Sequence, residues 1–263
     1  MNLDLGFSSC PNDTFTFHAL TQGALDPGPY LFTPHIADVE ELNRRAFGGT
    51  HAVTKLSFAA FLGLKERYTL LDAGSALGYG CGPLLVAGRP VHDFAKARIA
   101  VPGRHTTAFL LLRLWLDRIG SVEFVRFDEI LPGIASGRFD AGVIIHEGRF
   151  VYQSYRCIRI VDLGEWWESE TRLPIPLGCI AIRNDLLPHR KNVERLIRDS
   201  LTYARDHPEV SRDFIRLHAR ELDDRVIGEH IALYVNDFSL SLGETGNKAL
   251  RTLEDLARCR NIL

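Results

Sequence analysis

A histidine and a carboxylate end an apolar run in the second half of the chain. Residues 140–150 read DAGVIIHEGRF, in which small and aliphatic side chains lead directly into His146 and Glu147. The run predicts a buried strand, and a neutral imidazole at its carboxyl end is placed for proton transfer near neutral pH. Glu147 could orient this imidazole or pair with Arg149. A histidine satisfied by backbone groups at a strand end is the alternative interpretation.

The segment VPGRHTTA, residues 101–108, predicts a binding site for an anion. A strand ends there, Gly103 permits a close approach of the backbone, and Thr106 or Thr107 begins a long helix. The unpaired amides and the positive dipole end at a helix N-terminus bind anions. Because the sequence has no GxGxxG and no GKS or GKT motif, a carboxylate is favoured over a nucleotide phosphate. Capping by threonine alone is the alternative.

Two further turns follow predicted strands. In TKLSFAA, residues 54–60, Ser57 could cap a helix and present its hydroxyl to a ligand, and Lys55 could supply a positive charge. In SSCPND, residues 8–13, small hydroxyls and helix-start amides could contact a polar ligand. A solvated lysine and ordinary capping explain the same residue types.

Short β-like runs alternate with helical patterns and would position these turns. The predicted strands are residues 3–7, 29–36, 51–57, 82–88, 97–103, 122–127, 139–147, 157–164 and 177–185. Helical patterns separate many of them, such as VEELNRRAF after the second strand, and consecutive helices follow His189. The alternation predicts an α/β fold with mostly parallel sheet covered by helices.

The order of the elements favours two lobes over one sheet. Residues 97–174 form a self-contained βαβαβ pattern, bracketed by the strands at 82–88 and 177–183. We therefore predict a discontinuous first lobe, residues 1–90 plus 178–263, and a second lobe, residues 91–177. A ligand cleft would lie between the two lobes. A single doubly wound domain is the alternative.

Composition excludes several classes of protein. The chain has 263 residues and a formal net charge of −2, with no basic run that would attract nucleic acid or an anionic membrane. No segment approaches the ~18 apolar residues of a membrane span. The N-terminus MNLDLGFSSCPND lacks a basic head, so we expect a cytoplasmic protein. Five scattered cysteines without a CxxC pair, and no HExxH motif, predict neither disulfides nor a metal site.

Several stretches together resemble a known family. SSCPNDTFTFHAL, TKLSFAAF, VPGRHTTA, VIIHEGRF and LGCIAIRND, in order from Leu5 to about Leu250, are similar to the 1,4-dihydroxy-6-naphthoate synthases of the futalosine route to menaquinone. The resemblance implies an α/β fold of two lobes, like that of the type 2 periplasmic binding proteins. It also implies a lyase that cleaves cyclic dehypoxanthinylfutalosine to 1,4-dihydroxy-6-naphthoate and dihydroxyacetone, without metal or redox cofactor.

The resemblance assigns roles to residues of this chain. It implies that His146 is the base that removes a proton from the substrate. The residues expected to hold the substrate are Asn12, Lys55, Leu56, Ser57, Thr106, Thr107 and Ala108. The expected partner is a small-molecule carboxylate, and the sequence leaves the oligomeric state open.

Two other functions fit the same pattern. The chorismate dehydratases of the same pathway share the fold, although the IIHE strand end favours the synthase. A protein that only binds a small carboxylate is the second alternative. The absence of a signal sequence and the presence of a potential base count against it.

Overall fold

The computed structural model describes residues 1–219 and 223–262. The strands are β1 (Asn2–Phe7), β2 (Leu31–Ile36), β3 (Val53–Ser57), β4 (Tyr68–Leu70), β5 (Ala76–Gly78), β6 (Leu84–Ala87), β7 (Arg98–Val101), β8 (Ser121–Phe124), β9 (Ala141–Ile144), β10 (Ile158–Asp162) and β11 (Ile175–Arg183). Residues 220–222 and 263 of the predicted first lobe lie outside the described residues.

Helices connect most of the strands and make up the C-terminal part of the chain. They are α1 (Pro11–Thr21), α2 (Val39–Phe47), α3 (Phe58–Leu62), α4 (Thr107–Trp115), α5 (Phe127–Ala135), α6 (Gly148–Val151), α7 (Leu163–Thr171), α8 (Arg190–Asp206), α9 (Arg212–His218), α10 (Asp224–Tyr234), α11 (Asp237–Leu240) and α12 (Gly243–Cys259). Short 3₁₀ helices cover Tyr152–Tyr155 and Asn184–His189.

The strands form two mixed sheets. The first has the order β2-β1-β3-β11-β4, with β5 also paired to β11, and the second has the order β10-β6-β9-β7-β8. β1 is parallel to β2 and β3, and β7 is parallel to β8 and β9. β11 and β6 run antiparallel to their neighbours. The expectation of mostly parallel sheet is therefore wrong for the strands that pair with β6 and β11.

The chain passes between the sheets at two places. It leaves the first sheet after β5 and enters the second with β6, and it returns with β11. β6 lies within residues 1–90 but belongs to the second sheet, and β11 begins at Ile175, before residue 178. The lobe boundaries at 90 and 178 stay predictions, whereas the two sheets and their two connections are structural facts.

The helices α1 and α4, which have polar residues near the place where the two sheets meet, are largely buried. Residues Pro11 to Leu20 of α1 are all buried, beneath α8, α9 and α10. α4 buries Leu110, Leu111 and Leu114 in the central core. It ends at Trp115, because the backbone of Leu116 is extended, so the helix that Thr106 and Thr107 begin has nine residues.

The described residues contain neither a membrane-spanning helix nor a metal-binding cluster. None of their helices is long and apolar enough to cross a lipid bilayer. They contain no group of three or more histidine, cysteine, aspartate or glutamate side chains that could hold a metal ion. The cytoplasmic location stays a prediction.

Candidate functional site

A cavity lined by residues of both sheets lies where the two sheets meet, a place where small molecules commonly bind. Its walls come from the turn after β1, from α1, β3, β11 and α10, from the start of α4 and from the turn after β9. Of the residues predicted from the sequence, Asn12, Lys55, Ser57, Thr106, Thr107, Ala108 and His146 line this cavity.

Leu56 is the predicted site residue that is not part of the cavity wall. Its side chain is fully buried in the hydrophobic core, and its backbone pairs with Cys179 of β11. Successive side chains of a strand point to opposite faces, so Lys55 and Ser57 face the cavity while Leu56 faces the core. Only the backbone of Leu56 is left to contact a ligand.

The start of α4 presents free amides. Thr106 is the N-cap, and its hydroxyl accepts from the Phe109 amide at 3.2 Å and donates to the Gly103 carbonyl at 2.8 Å. The Thr107 hydroxyl donates to the Leu177 carbonyl at 2.8 Å. The amides of Thr107 and Ala108 occupy the first turn and have no acceptor among the described residues. Both amides are therefore available to an anionic ligand.

Ser57 lines the same cavity and has a hydroxyl proton to donate. Its backbone amide donates to Asn43 Oδ1 at 2.9 Å, which fixes the Asn43 side chain so that Nδ2 donates to Ser57 Oγ at 3.0 Å. Oγ is thus an acceptor for Asn43, and it donates to no acceptor within residues 1–219 and 223–262. We call the Ser57 hydroxyl and the amides of Thr107 and Ala108 the donor cluster.

His146 follows β9 with a left-handed backbone, φ 54°. Its Nδ1 lies 3.2 Å from Cys10 Sγ, and the Phe127 ring packs edge-on with 4.9 Å between the ring centroids. Burial lowers the pKa of His146 to about 4, although the Asp13 charge acts in the opposite direction. The imidazole is therefore neutral at pH 7 and can accept a proton.

Cys10 supports this imidazole as a neutral thiol. Burial raises the pKa of the Cys10 thiol well above its usual value, and the charges of Glu147 and Asp13 raise it further. The contact with His146 is therefore a hydrogen bond between neutral groups, unlike the thiolate–imidazolium pair of cysteine hydrolases. This environment does not favour Cys10 as a nucleophile.

The Lys55 charge is balanced inside the protein. Its Nζ lies 2.5 Å from Asp13 Oδ1, and both side chains are buried. Ser8 Oγ donates to the other carboxylate oxygen of Asp13 at 2.6 Å. A Cβ at Gly178 would lie 2.9 Å from Lys55 Cε, so the absence of a side chain there makes room for the lysine. Lys55 lines the cavity as one half of an ion pair.

Asn12 contacts two charged or titratable neighbours. Its Nδ2 donates to Asp13 at 2.9 Å, and its Oδ1 lies 3.0 Å from Nε2 of His230 in α10. Burial lowers the pKa of His230 well below its usual value and raises the pKa of the neighbouring Tyr234 hydroxyl. α10 therefore contributes an aromatic, uncharged wall to the cavity.

The sequence of the chain matches a known protein family over almost its whole length. A family model described as "Menaquinone biosynthesis" matches residues 3–259. The chain belongs to this family. Two curated relatives are named 1,4-dihydroxy-6-naphthoate synthase. The one from Thermus thermophilus is 48% identical over 261 residues, covering 99% of this chain and 95% of the relative. The one from Streptomyces coelicolor is 41% identical over 257 residues, covering 95% and 91%.

Solved structures bear out the predicted fold. Protein AF1704 from Archaeoglobus fulgidus superimposes with a TM-score of 0.95 at 33% identity, covering 100% of this chain and 98% of that chain. The alkanesulfonate-binding protein SsuA from Xanthomonas axonopodis gives a TM-score of 0.71 at 12% identity, covering 100% and 94%. The two-lobe, periplasmic-binding-protein-like α/β fold is confirmed. As a member of the menaquinone biosynthesis family with relatives named as synthases, this chain is an enzyme of that pathway.

Among the polar residues at this site, sequence reasoning missed Asn43, His230 and Tyr234. Two of them carried a signal. Asn43 stands in the buried stripe of α2 beside Leu42 and Ala46, and His230 stands in the buried stripe of α10. A buried polar side chain within an apolar stripe of a helix needs a hydrogen-bond partner, so its presence indicates a candidate site residue.

Proposed function

We propose that this menaquinone enzyme is a lyase that converts cyclic dehypoxanthinylfutalosine to 1,4-dihydroxy-6-naphthoate and dihydroxyacetone. The observation that carries the proposal is the position of the donor cluster and of a neutral imidazole on the walls of one cavity. The high identity to relatives that bear the synthase name supports it.

The donor cluster would hold the aromatic carboxylate of the substrate. Three uncharged donors suit one delocalised negative charge, and hydrogen bonds to an ionised group are stronger than neutral ones. With Lys55 already paired to Asp13, the binding site needs no free cation. Ring and carboxylate would therefore be fixed at one end of the cavity.

His146 would act at the other end of the substrate. Its neutral ring takes a proton from the carbon next to a carbonyl, the carbon–carbon bond to the three-carbon fragment breaks, and the ring becomes aromatic. The proton then passes to the leaving dihydroxyacetone, so atoms and electrons balance without an oxidant. Fixing the substrate between the lobes and excluding water supplies the remaining catalysis.

Turnover of the substrate tests the proposal. Purified protein incubated with cyclic dehypoxanthinylfutalosine, without added metal, is expected to produce the naphthoate chromophore, while chorismate in a parallel incubation stays unchanged. The Thermus thermophilus synthase serves as the positive control. If that control forms naphthoate and this protein does not, the proposed reaction is wrong, and loss of chorismate would favour the dehydratase instead.

Replacing Ser57 with alanine is expected to raise KM about tenfold or more with a smaller change in kcat. The hydroxyl would hold the carboxylate both before and after bond cleavage, so its loss weakens binding more than it slows the bound complex. Steady-state kinetics measure both constants. Ser169→Ala, an exposed serine of α7, is the control, and an unchanged KM in Ser57→Ala would remove Ser57 from the site.

The pH dependence of kcat/KM is expected to reflect the low pKa of His146. Because burial lowers this pKa from the usual value near 6.5 to about 4, the imidazole of the free enzyme stays neutral as the pH falls. Activity should therefore persist to about pH 5 and decrease only near pH 4. Unfolding followed at each pH separates denaturation from protonation. Half-maximal kcat/KM near pH 6.5 would contradict the lowered pKa of His146.

A further inference from the structure

Glu40 joins the two sheets beside the donor cluster. It lies on α2, which packs on β3 of the first sheet, whereas His105 lies in the turn after β7 of the second sheet. The Glu40 carboxylate accepts from the His105 backbone amide at 3.1 Å and lies 2.8 Å from His105 Nδ1. The His105 ring also packs on Phe47 of α2, with 4.8 Å between the ring centroids.

The backbone beside this contact is built for a close approach. Gly103 has φ +152°, and a Cβ placed there would lie 2.5 Å from three atoms of the Glu40 side chain. A residue with a side chain at position 103 would therefore push the carboxylate away from His105. Glycine allows Glu40 to sit against the turn that leads into α4.

Glu40 also reaches the donor cluster from the other side. Asn43 Nδ2 lies 3.4 Å from Glu40 Oε2 and 3.0 Å from Ser57 Oγ. The carboxylate thus contacts both the turn that presents the Thr107 and Ala108 amides and the asparagine that orients Ser57. One side chain links the two halves of the donor cluster, which come from different sheets.

We propose that Glu40 is a positioning residue that aligns the two halves of the donor cluster for the substrate carboxylate. The inference rests on the proposed function for its kinetic consequences. Glu40 does not touch the substrate itself. Its carboxylate accepts from the amide of His105, the residue before the N-cap Thr106. The amides of Thr107 and Ala108 stay free for the ligand.

Glu40→Gln tests the proposal because it keeps the length of the side chain and removes its charge. KM for cyclic dehypoxanthinylfutalosine and the dissociation constant of 1,4-dihydroxy-6-naphthoate are both expected to rise about tenfold, with kcat changed less than about threefold. His105→Ala, which keeps the backbone amide, should have a smaller effect. Glu41→Gln removes a neighbouring charge that pairs with Arg44 and Arg45 outside the cavity, and should leave both constants unchanged.

Amide hydrogen exchange gives a readout that does not depend on the reaction. In the ligand-free protein, Glu40→Gln is expected to speed exchange in residues 103–108 relative to Glu41→Gln, with an unchanged melting temperature. Unaltered exchange in this segment, or a KM within twofold of wild type, would overturn the proposal. If the wild-type protein fails to convert the substrate, the proposed function is lost, and the exchange result still decides the role of Glu40.

Discussion

Replacing His146 with asparagine is expected to lower kcat by about 10²–10⁴-fold, the usual contribution of a positioned general base. Asparagine tolerates the left-handed backbone of this position, φ 54°, so the substitution removes the imidazole with little strain. The donor cluster stays intact, and the dissociation constant of 1,4-dihydroxy-6-naphthoate should change little. Single-turnover kinetics and product titration measure the two effects separately.

A matched substitution separates the base from its support. Cys10→Ser keeps a small polar side chain beside the ring, and we expect it to lower kcat far less than His146→Asn does. Far-ultraviolet circular dichroism and the melting temperature show whether each variant is folded. A folded His146→Asn protein with full turnover would exclude His146 as the base.

Replacing Asp13 with asparagine is expected to lower the free energy of unfolding by about 3–5 kcal/mol. The substitution leaves the Lys55 ammonium buried without its carboxylate partner, since the two atoms lie 2.5 Å apart and both side chains are almost fully buried. It also weakens the hydrogen bonds from Ser8 and Asn12 to this carboxylate. Urea unfolding of the ligand-free protein, followed by tryptophan fluorescence, measures the change.

Two controls make this prediction specific. Asp199→Asn breaks the exposed pair with Arg195 in α8 and should change the free energy of unfolding by less than about 1 kcal/mol. The double substitution Asp13→Asn with Lys55→Met removes both charges and should recover part of the lost stability. Equal effects of Asp13→Asn and Asp199→Asn would mean that the buried pair does not stabilise the fold.

Much of the cavity could be predicted because its parts follow strands or begin helices. Ser57 ends β3, Thr107 begins α4 and His146 follows β9, and each position is marked by a local pattern of residue types. The ends of strands in α/β folds collect ligands, so local patterns place these residues near one another. The family resemblance then supplied the reaction, which the patterns alone left open.

The remaining features depend on contacts that no local pattern records. Asn12 meets His230 at a separation of 218 positions, and Lys55 meets Asp13 at a separation of 42. The strands β4 and β5 have three residues each, too few to show a period of two. The antiparallel pairing of β6 and β11 follows from the two connections between the sheets, which are properties of the whole fold.

A crystal structure of His146→Asn bound to cyclic dehypoxanthinylfutalosine would test the central claim most directly, because the slow variant should retain intact substrate. We expect the carboxylate to lie within hydrogen-bonding distance of Ser57 Oγ and of the amides of Thr107 and Ala108. The carbon that loses its proton should face residue 146. A carboxylate bound elsewhere, or a reacting carbon turned away from residue 146, would contradict the account.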